Sequence, residues 1–217
     1  MTNIIQDLVP QGRRNRPGKH NPATYITIHN TGNTAKTAGA RNHAAYLKGD
    51  SAANAPVSWH YTADDKEIIQ HLPDNETAYH AGDSKGNTQS VGIEICVNEG
   101  GDLRKATDNA AALTALLCQK HCIPIERVVQ HNVWWGKDCP QMLRAGKPYT
   151  WDVFLQKVRD AMNQKTGDCP SEWAKAACGK AAASGLVVGD GKGLFGWREP
   201  VTLERLLVIL DKLGLLG

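Results

Sequence analysis

Tyr25-Ile26-Thr27-Ile28-His29 alternates apolar and polar side chains, the pattern of a β-strand half-buried in a sheet. Ile26 and Ile28 point to one face, and Tyr25, Thr27 and His29 to the other. Asn30-Thr31-Gly32-Asn33 then ends the strand in a turn. Val91-Gly92-Ile93-Glu94-Ile95-Cys96-Val97 repeats the pattern. Its apolar face is Val91, Ile93, Ile95 and Val97, and Glu94 lies opposite, between Gly92 and Cys96. Arg127-Val128-Val129-Gln130-His131 is a shorter strand that again delivers a histidine at its end. Residues 57–62 and 67–71 predict a hairpin turning at Asp64-Asp65-Lys66.

Helices separate these strands. Residues 37–48 read as one, with Thr37 as N-cap and Gly49 at its end. Residues 107–122 read as another, with Ala112, Ala115, Leu116 and Cys122 as the buried stripe and Pro124 as the stop. Residues 151–163 predict a third, with Val153, Phe154, Val158 and Met162 facing inward. The chain up to Asn21 reads as an extended arm, and residues 77–90, polar and glycine-rich, as a loop. Strands alternating with helices predict an α/β fold, a mixed central β-sheet flanked by helices, over residues 1–163. Residues 164–168 are a polar linker. Residues 169–217 then predict a small helical domain, with helices at 173–184 and 202–213 and Thr202 capping the second. Two short helices bury little surface alone, so this tail should dock, self-associate or bind something.

Composition limits the function classes. With 41% hydrophobic and 22% charged residues, the 217-residue chain is an ordinary globular protein. A net charge of +3 is too small to argue for nucleic acid, though it suits approach to an anionic polymer such as a cell wall. No apolar run reaches the length of a membrane span, so membrane insertion is not expected. Met1 to Pro10 lacks a basic segment followed by an apolar core, so no signal peptide is expected and synthesis in the cytoplasm is. In that compartment most of Cys96, Cys118, Cys122, Cys139, Cys169 and Cys178 should be reduced and buried.

The chemistry concentrates in His131-Asn132-Val133-Trp134-Trp135-Gly136-Lys137-Asp138-Cys139-Pro140. A neutral imidazole and a thiolate are ligands that zinc prefers. His29, at the end of another strand, supplies a third ligand, and three protein ligands leave the open position of a catalytic site. Taken singly, His29 reads equally well as a capping or core histidine, and Cys139 as a buried thiol. Glu94 is the candidate general base, the alternative being an exposed carboxylate on an edge strand. Lys137 is either the partner of a developing oxyanion or a solvated surface lysine. His80 lies in a polar loop that can line a groove. Trp59 and His60 fall on opposite faces of their strand. Trp134 and Trp135 either stack on a sugar or pack as core. His20, His43, His71 and His121 look uninvolved.

In order along the chain, Tyr25 to Thr31, Ser58-Trp59-His60-Tyr61, Ala78-Tyr79-His80-Ala81-Gly82, Val91-Gly92-Ile93-Glu94, and His131 with Gly136-Lys137-Asp138-Cys139-Pro140 resemble the type 2 N-acetylmuramoyl-L-alanine amidases. These are zinc enzymes related to peptidoglycan recognition proteins and common among phage endolysins. The resemblance implies zinc on His29, His131 and Cys139, with Glu94 and Lys137 catalytic. It places His80, with Trp59 and His60, toward the substrate groove. It implies hydrolysis of the amide between N-acetylmuramic acid and L-alanine in bacterial peptidoglycan, the alternative being a non-catalytic peptidoglycan-recognition module. An endolysin reaches the wall from the host cytoplasm once a holin opens the membrane. In the tail, Trp173-Ala174, Ala177, residues 185–191, Phe195, Val201-Thr202 and Glu204 loosely resemble one S-layer-homology repeat, which implies a cell-wall polymer as its partner. A second copy of the chain is the other expectation for the tail.

Overall fold

The computed structural model describes residues 4–164, 170, 174–187 and 203–215. The chain divides into two units, Met1–Lys165 and Thr166–Gly217. The strands of the first are β1 (Ile4–Gln6), β2 (Tyr25–Asn30), β3 (Tyr61–Ala63), β4 (Ile68–Gln70), β5 (Ser90–Ile95) and β6 (Val128–Gln130). Its helices are α1 (Ala40–Lys48), α2 (Asp50–Ala53), α3 (Ser84–Gln89), α4 (Leu103–His121), α5 (Asn132–Trp135), α6 (Gln141–Arg144) and α7 (Trp151–Gln164).

The strands form one sheet in the order β1-β4-β3-β5-β2-β6. The β3–β4 pair is antiparallel and the others are parallel, so the sheet is mixed as expected. Period-2 alternation sorts the side chains of β2 and β5. Ile26, Ile28, Val91, Ile93 and Ile95 are all fully buried in a core shared with α4 and α7, through Ala110, Leu113, Leu117, Phe154 and Val158. Thr27, His29 and Glu94 therefore emerge on the other face. The hairpin turns where expected, because Asp64 Oδ1 accepts the N–H groups of Lys66 and Glu67, each at 2.8 Å.

Several boundaries differ from the sequence expectation. Helix α1 starts at Ala40, not Thr37. Its first free N–H is taken by Asp64 Oδ2 at 2.9 Å, a cap from across the chain. Helix α4 starts at Leu103, where Asp102 caps the Lys105 N–H. Its buried face is Ala106, Ala110, Leu113 and Leu117. Of the expected stripe only Ala115 is buried; Ala112 is exposed, Leu116 is exposed, and Cys122 is half-buried in a left-handed C-cap. In α7, Phe154 and Val158 face inward and Val153 faces solvent. The expected loop at 77–90 contains α3, nucleated by Asp83 accepting from Gly86 N–H. The start of the expected arm is an edge strand, with Ile4 paired to Ile68.

Cys96, Cys118 and Cys139 are buried, and no disulfide forms among the described residues. The second unit contains α8 (Lys175–Ala183) and α9 (Leu203–Lys212). The expected linker residues 165–168, and Trp173, Gly189 to Gly191, Phe195, Val201 and the cap Thr202, lie outside the described residues.

Candidate metal centre and active site

β2 runs between β5 and β6, and the register of the two pairings decides what meets. His29 pairs with Glu94 across β2 and β5. Ile28 pairs with Gln130 across β2 and β6, so His131 follows at the level of His29, its N–H bonded to the Ile28 carbonyl at 3.2 Å. The chain then makes the single turn α5 and reverses at Gly136, whose φ of +70° suits glycine. Asn132 clamps the return, its N–H on the Cys139 carbonyl and its side-chain amide on the Lys137 carbonyl.

Three soft or borderline donors meet as a result. His29 Nδ1 lies 3.0 Å from His131 Nδ1 and 3.8 Å from Cys139 Sγ. Among the described residues these three form the group whose ligand atoms all lie within 4.8 Å of one another. Zinc bond lengths of about 2.0–2.3 Å place tetrahedral ligand atoms about 3.3–3.7 Å apart. The two separations lie within about 0.3 Å of that range, so small side-chain shifts would let the set hold the ion. All three residues are buried. Burial holds the His29 imidazole well below its ordinary range, helped by repulsion from His80, His131 and Lys137. Burial lowers His131 as well, so both rings are neutral and have a lone pair to offer. The remote nitrogen of His131, Nε2, lies 3.0 Å from the Ala81 carbonyl. A carbonyl only accepts, so the His131 proton sits on Nε2 and Nδ1 is bare. Burial and the Glu94 carboxylate push the Cys139 thiol up to about 11, against a hydrogen bond from the Asn30 backbone and the Lys137 charge.

Glu94 stands beside this group, with Oε1 3.9 Å from His29 Nδ1. Burial raises its carboxyl to about 8, and Lys137 opposes the rise. Glu94 Oε2 is buried without a hydrogen-bond partner. Lys137 is exposed at the rim, and its charge acts on Glu94, His29, His131 and Cys139.

The residues expected to meet substrate are placed differently. His80 touches His29 directly, its Nδ1 3.0 Å from His29 Nε2. His60 is fully buried; its Nδ1 accepts from Gly92 N–H and its Nε2 donates to the Glu76 carbonyl, so neither nitrogen is left for a ligand. Trp59 is buried between His43 and Tyr46, its indole N–H on Thr62 Oγ1. Both side chains are thus buried and bonded to protein groups, whereas the sequence expectation set them toward the substrate groove. The tryptophan pair separates cleanly. Trp134 packs edge-on against Tyr25 and donates to Thr27 Oγ1 at 2.9 Å. Trp135 is 69% exposed and lies over Gly82.

Sequence reasoning missed Ser90 and Asn87, which bond His80, and Thr27, which bonds Ser90. Asn87 Oδ1 accepts the N–H groups of both His80 and Ala81. Thr27 shares the His29 face by strand alternation, which was its only signal. Ser90 and Asn87 looked like loop residues.

Known proteins extend this picture. The family model for N-acetylmuramoyl-L-alanine amidase matches residues 19–142, which contain every residue of the centre. The chain belongs to this family. It is 47% identical over 182 residues to the N-acetylmuramoyl-L-alanine amidase XlyA of Bacillus subtilis (strain 168), covering 81% of this chain and 59% of that protein. It is 43% identical to the amidase CwlH of the same organism, covering 79% of this chain and 67% of the relative. The chain thus spans a little over half the length of XlyA. The fold matches the catalytic domain of XlyA with a TM-score of 0.68 at 49% identity, over 72% of this chain and 99% of that domain. The PlyG catalytic domain matches with a TM-score of 0.65 at 37% identity, over 74% and 96%.

Proposed function

We propose that the chain hydrolyses the amide between N-acetylmuramic acid and L-alanine in bacterial peptidoglycan, as a zinc-dependent, endolysin-type enzyme. His29 Nδ1, His131 Nδ1 and Cys139 Sγ would hold the ion. When bound there, zinc supplies Lewis acidity and lowers the pKa of water. Glu94 handles the proton. Burial favours its protonated form and the Lys137 charge its ionised form, the two states that general acid–base catalysis alternates between. Oε2, buried and without a partner, receives the proton of the attacking water and returns it to the departing alanine nitrogen. The Lys137 ammonium balances charge that develops on the amide oxygen. His80 and Ala81 hold the two histidine rings from behind.

The observation that carries this reading is the meeting of two histidine Nδ1 atoms and one thiol beside a partnerless glutamate oxygen, within the segment that the family model matches. The test is digestion of purified cell wall, with and without a chelator. New alanine N-termini that vanish on chelation and return with zinc are expected. Cleavage untouched by chelation would overturn the zinc mechanism. Reducing sugars in place of alanine N-termini would overturn the bond assignment, and wall binding without cleavage would mark a recognition module instead. For residues 166–217 we propose a cell-wall polymer as partner, on the resemblance to an S-layer-homology repeat. Wall pull-down of the full chain against a chain ending at Lys165 tests it: equal retention would overturn wall binding, and a concentration-dependent doubling of mass in the full chain alone would assign the tail to self-association.

A further inference from the structure

We propose that His80 is a positioning residue: by accepting the Nε2–H of His29 it fixes the tautomer that leaves His29 Nδ1 free for the metal. This rests on the zinc reading above. A neutral imidazole carries one N–H, and a metal can bind only the bare nitrogen. For His131 the choice is made by the Ala81 carbonyl. For His29 it falls to the neighbouring residue, His80, whose ring is itself ambiguous.

The surroundings remove that ambiguity. His80 Nδ1 faces His29 Nε2 at 3.0 Å, and His80 Nε2 faces Ser90 Oγ at 3.4 Å. Ser90 gives its own proton to the Gly86 carbonyl at 2.7 Å, which can only accept. At the other end, the Trp134 indole N–H can only donate, and it donates to Thr27 Oγ1 at 2.9 Å. Thr27 therefore turns its proton to Ser90 Oγ, 2.8 Å away. With its proton committed to Gly86, Ser90 offers its remaining lone-pair capacity to His80 Nε2–H. That leaves His80 Nδ1 as an acceptor and puts the His29 proton on Nε2. His60 does not compete, since Gly92 N–H and the Glu76 carbonyl engage both its nitrogens.

The fold holds the His80 ring in this place. A Cβ on Gly92 would lie 2.8 Å from His80 Cγ and Nδ1, so the ring lies on bare β5 backbone. Asn87 Oδ1 fixes the backbone of His80 and Ala81 together, and thus the two groups that serve the two histidine ligands. Trp134, Thr27 and Ser90, none of them a proposed ligand, thereby act on the His29 proton through His80.

The test uses the full chain. In the metal-free wild type, long-range nitrogen–proton NMR, with His29 assigned by its loss in His29→Gln, should show the Nε2–H tautomer. Zinc affinity, read by competition with a chromophoric chelator, should fall about 10- to 100-fold in His80→Leu. His80→Asn, whose Oδ1 sits about where Nδ1 does, should recover part of that loss. His80→Gln, whose acceptor lies too far out, should not, and it replaces His80→Leu under the same criteria should that variant fail to fold. A residue that only touches substrate would raise KM and leave both readouts alone. Affinity within about twofold of wild type in the folded leucine variant, or an Nδ1–H His29 in the wild type, overturns the proposal. A wild type that binds no zinc overturns the metal reading together with it.

Discussion

His29 and Glu94 are register partners on adjacent parallel strands, and their side chains leave the sheet on the same face with Nδ1 3.9 Å from Oε1. The strand pairing itself thus fixes the distance between a ligand atom and the proposed base. Glu94→Gln keeps the shape and removes the proton acceptor. Turnover on purified wall should fall by about 10²- to 10⁴-fold, with zinc content unchanged by elemental analysis. Loss of zinc from this variant would make Glu94 a ligand or a scaffold in place of a base.

Gly92 lies on the same face of β5, two residues before Glu94. Its substitution by alanine puts a methyl into the His80 ring. Neither group can move cheaply, since one is strand backbone and the other is held by Asn87, Ser90 and His29. Gly92→Ala should destabilise the chain by about 1–3 kcal/mol in urea unfolding, and zinc affinity should fall with it. A variant as stable as the parent, with unchanged affinity, would mean that the ring has room elsewhere.

The same strand shows how much the sequence could tell. Alternation in β2 and β5 placed Ile26, Ile28, Val91, Ile93 and Ile95 on the core face and His29 and Glu94 on the opposite face, because a one-residue slip would exchange the two sets. Histidines at two strand ends and a nearby cysteine then marked the metal group. The α4 face was illegible because the helix is dense in alanine: Ala110, Ala111, Ala112 and Ala115 surround its axis, and only packing against α7 chooses among them. α3 has no apolar stripe, and Asp83 was its sole signal. The role of Ser90 depends on hydrogen-bond direction among groups far apart in sequence, which no spacing rule encodes.

Adjacent tryptophans should respond oppositely to substitution. Trp134 is wedged against Tyr25 and Gly86 and bonds Thr27, whereas Trp135 stands mostly in solvent. Trp134→Ala should cost about 2–4 kcal/mol of stability, and Trp135→Ala no more than about 1 kcal/mol. Thermal melts of the two variants side by side settle the ranking, and equal shifts would mean that Trp135 is packed in solution.

Acid should weaken the chain well above the carboxylate range. His71 is fully buried, with Nε2 on Thr62 Oγ1, and burial pushes its imidazole down to about 3. In the unfolded chain the same ring titrates near 6.5. Between those values the unfolded state holds a proton that the folded state refuses, so stability falls as pH drops, by ~1.4 kcal/mol per pH unit for this group. Asp74 acts only lower. Burial raises its carboxyl, but hydrogen bonds from His121, Lys120 and Tyr61 outweigh that and hold it below its ordinary range. Its contribution is therefore present above about pH 4 and is lost below it. Urea midpoints at pH 7, 6, 5 and 4.5 should decline steadily, before Asp74 matters. His71→Gln, which keeps an acceptor for Thr62 and cannot be protonated, should reduce that slope by up to about one proton. Identical slopes in the two chains would show that His71 takes up its proton without unfolding.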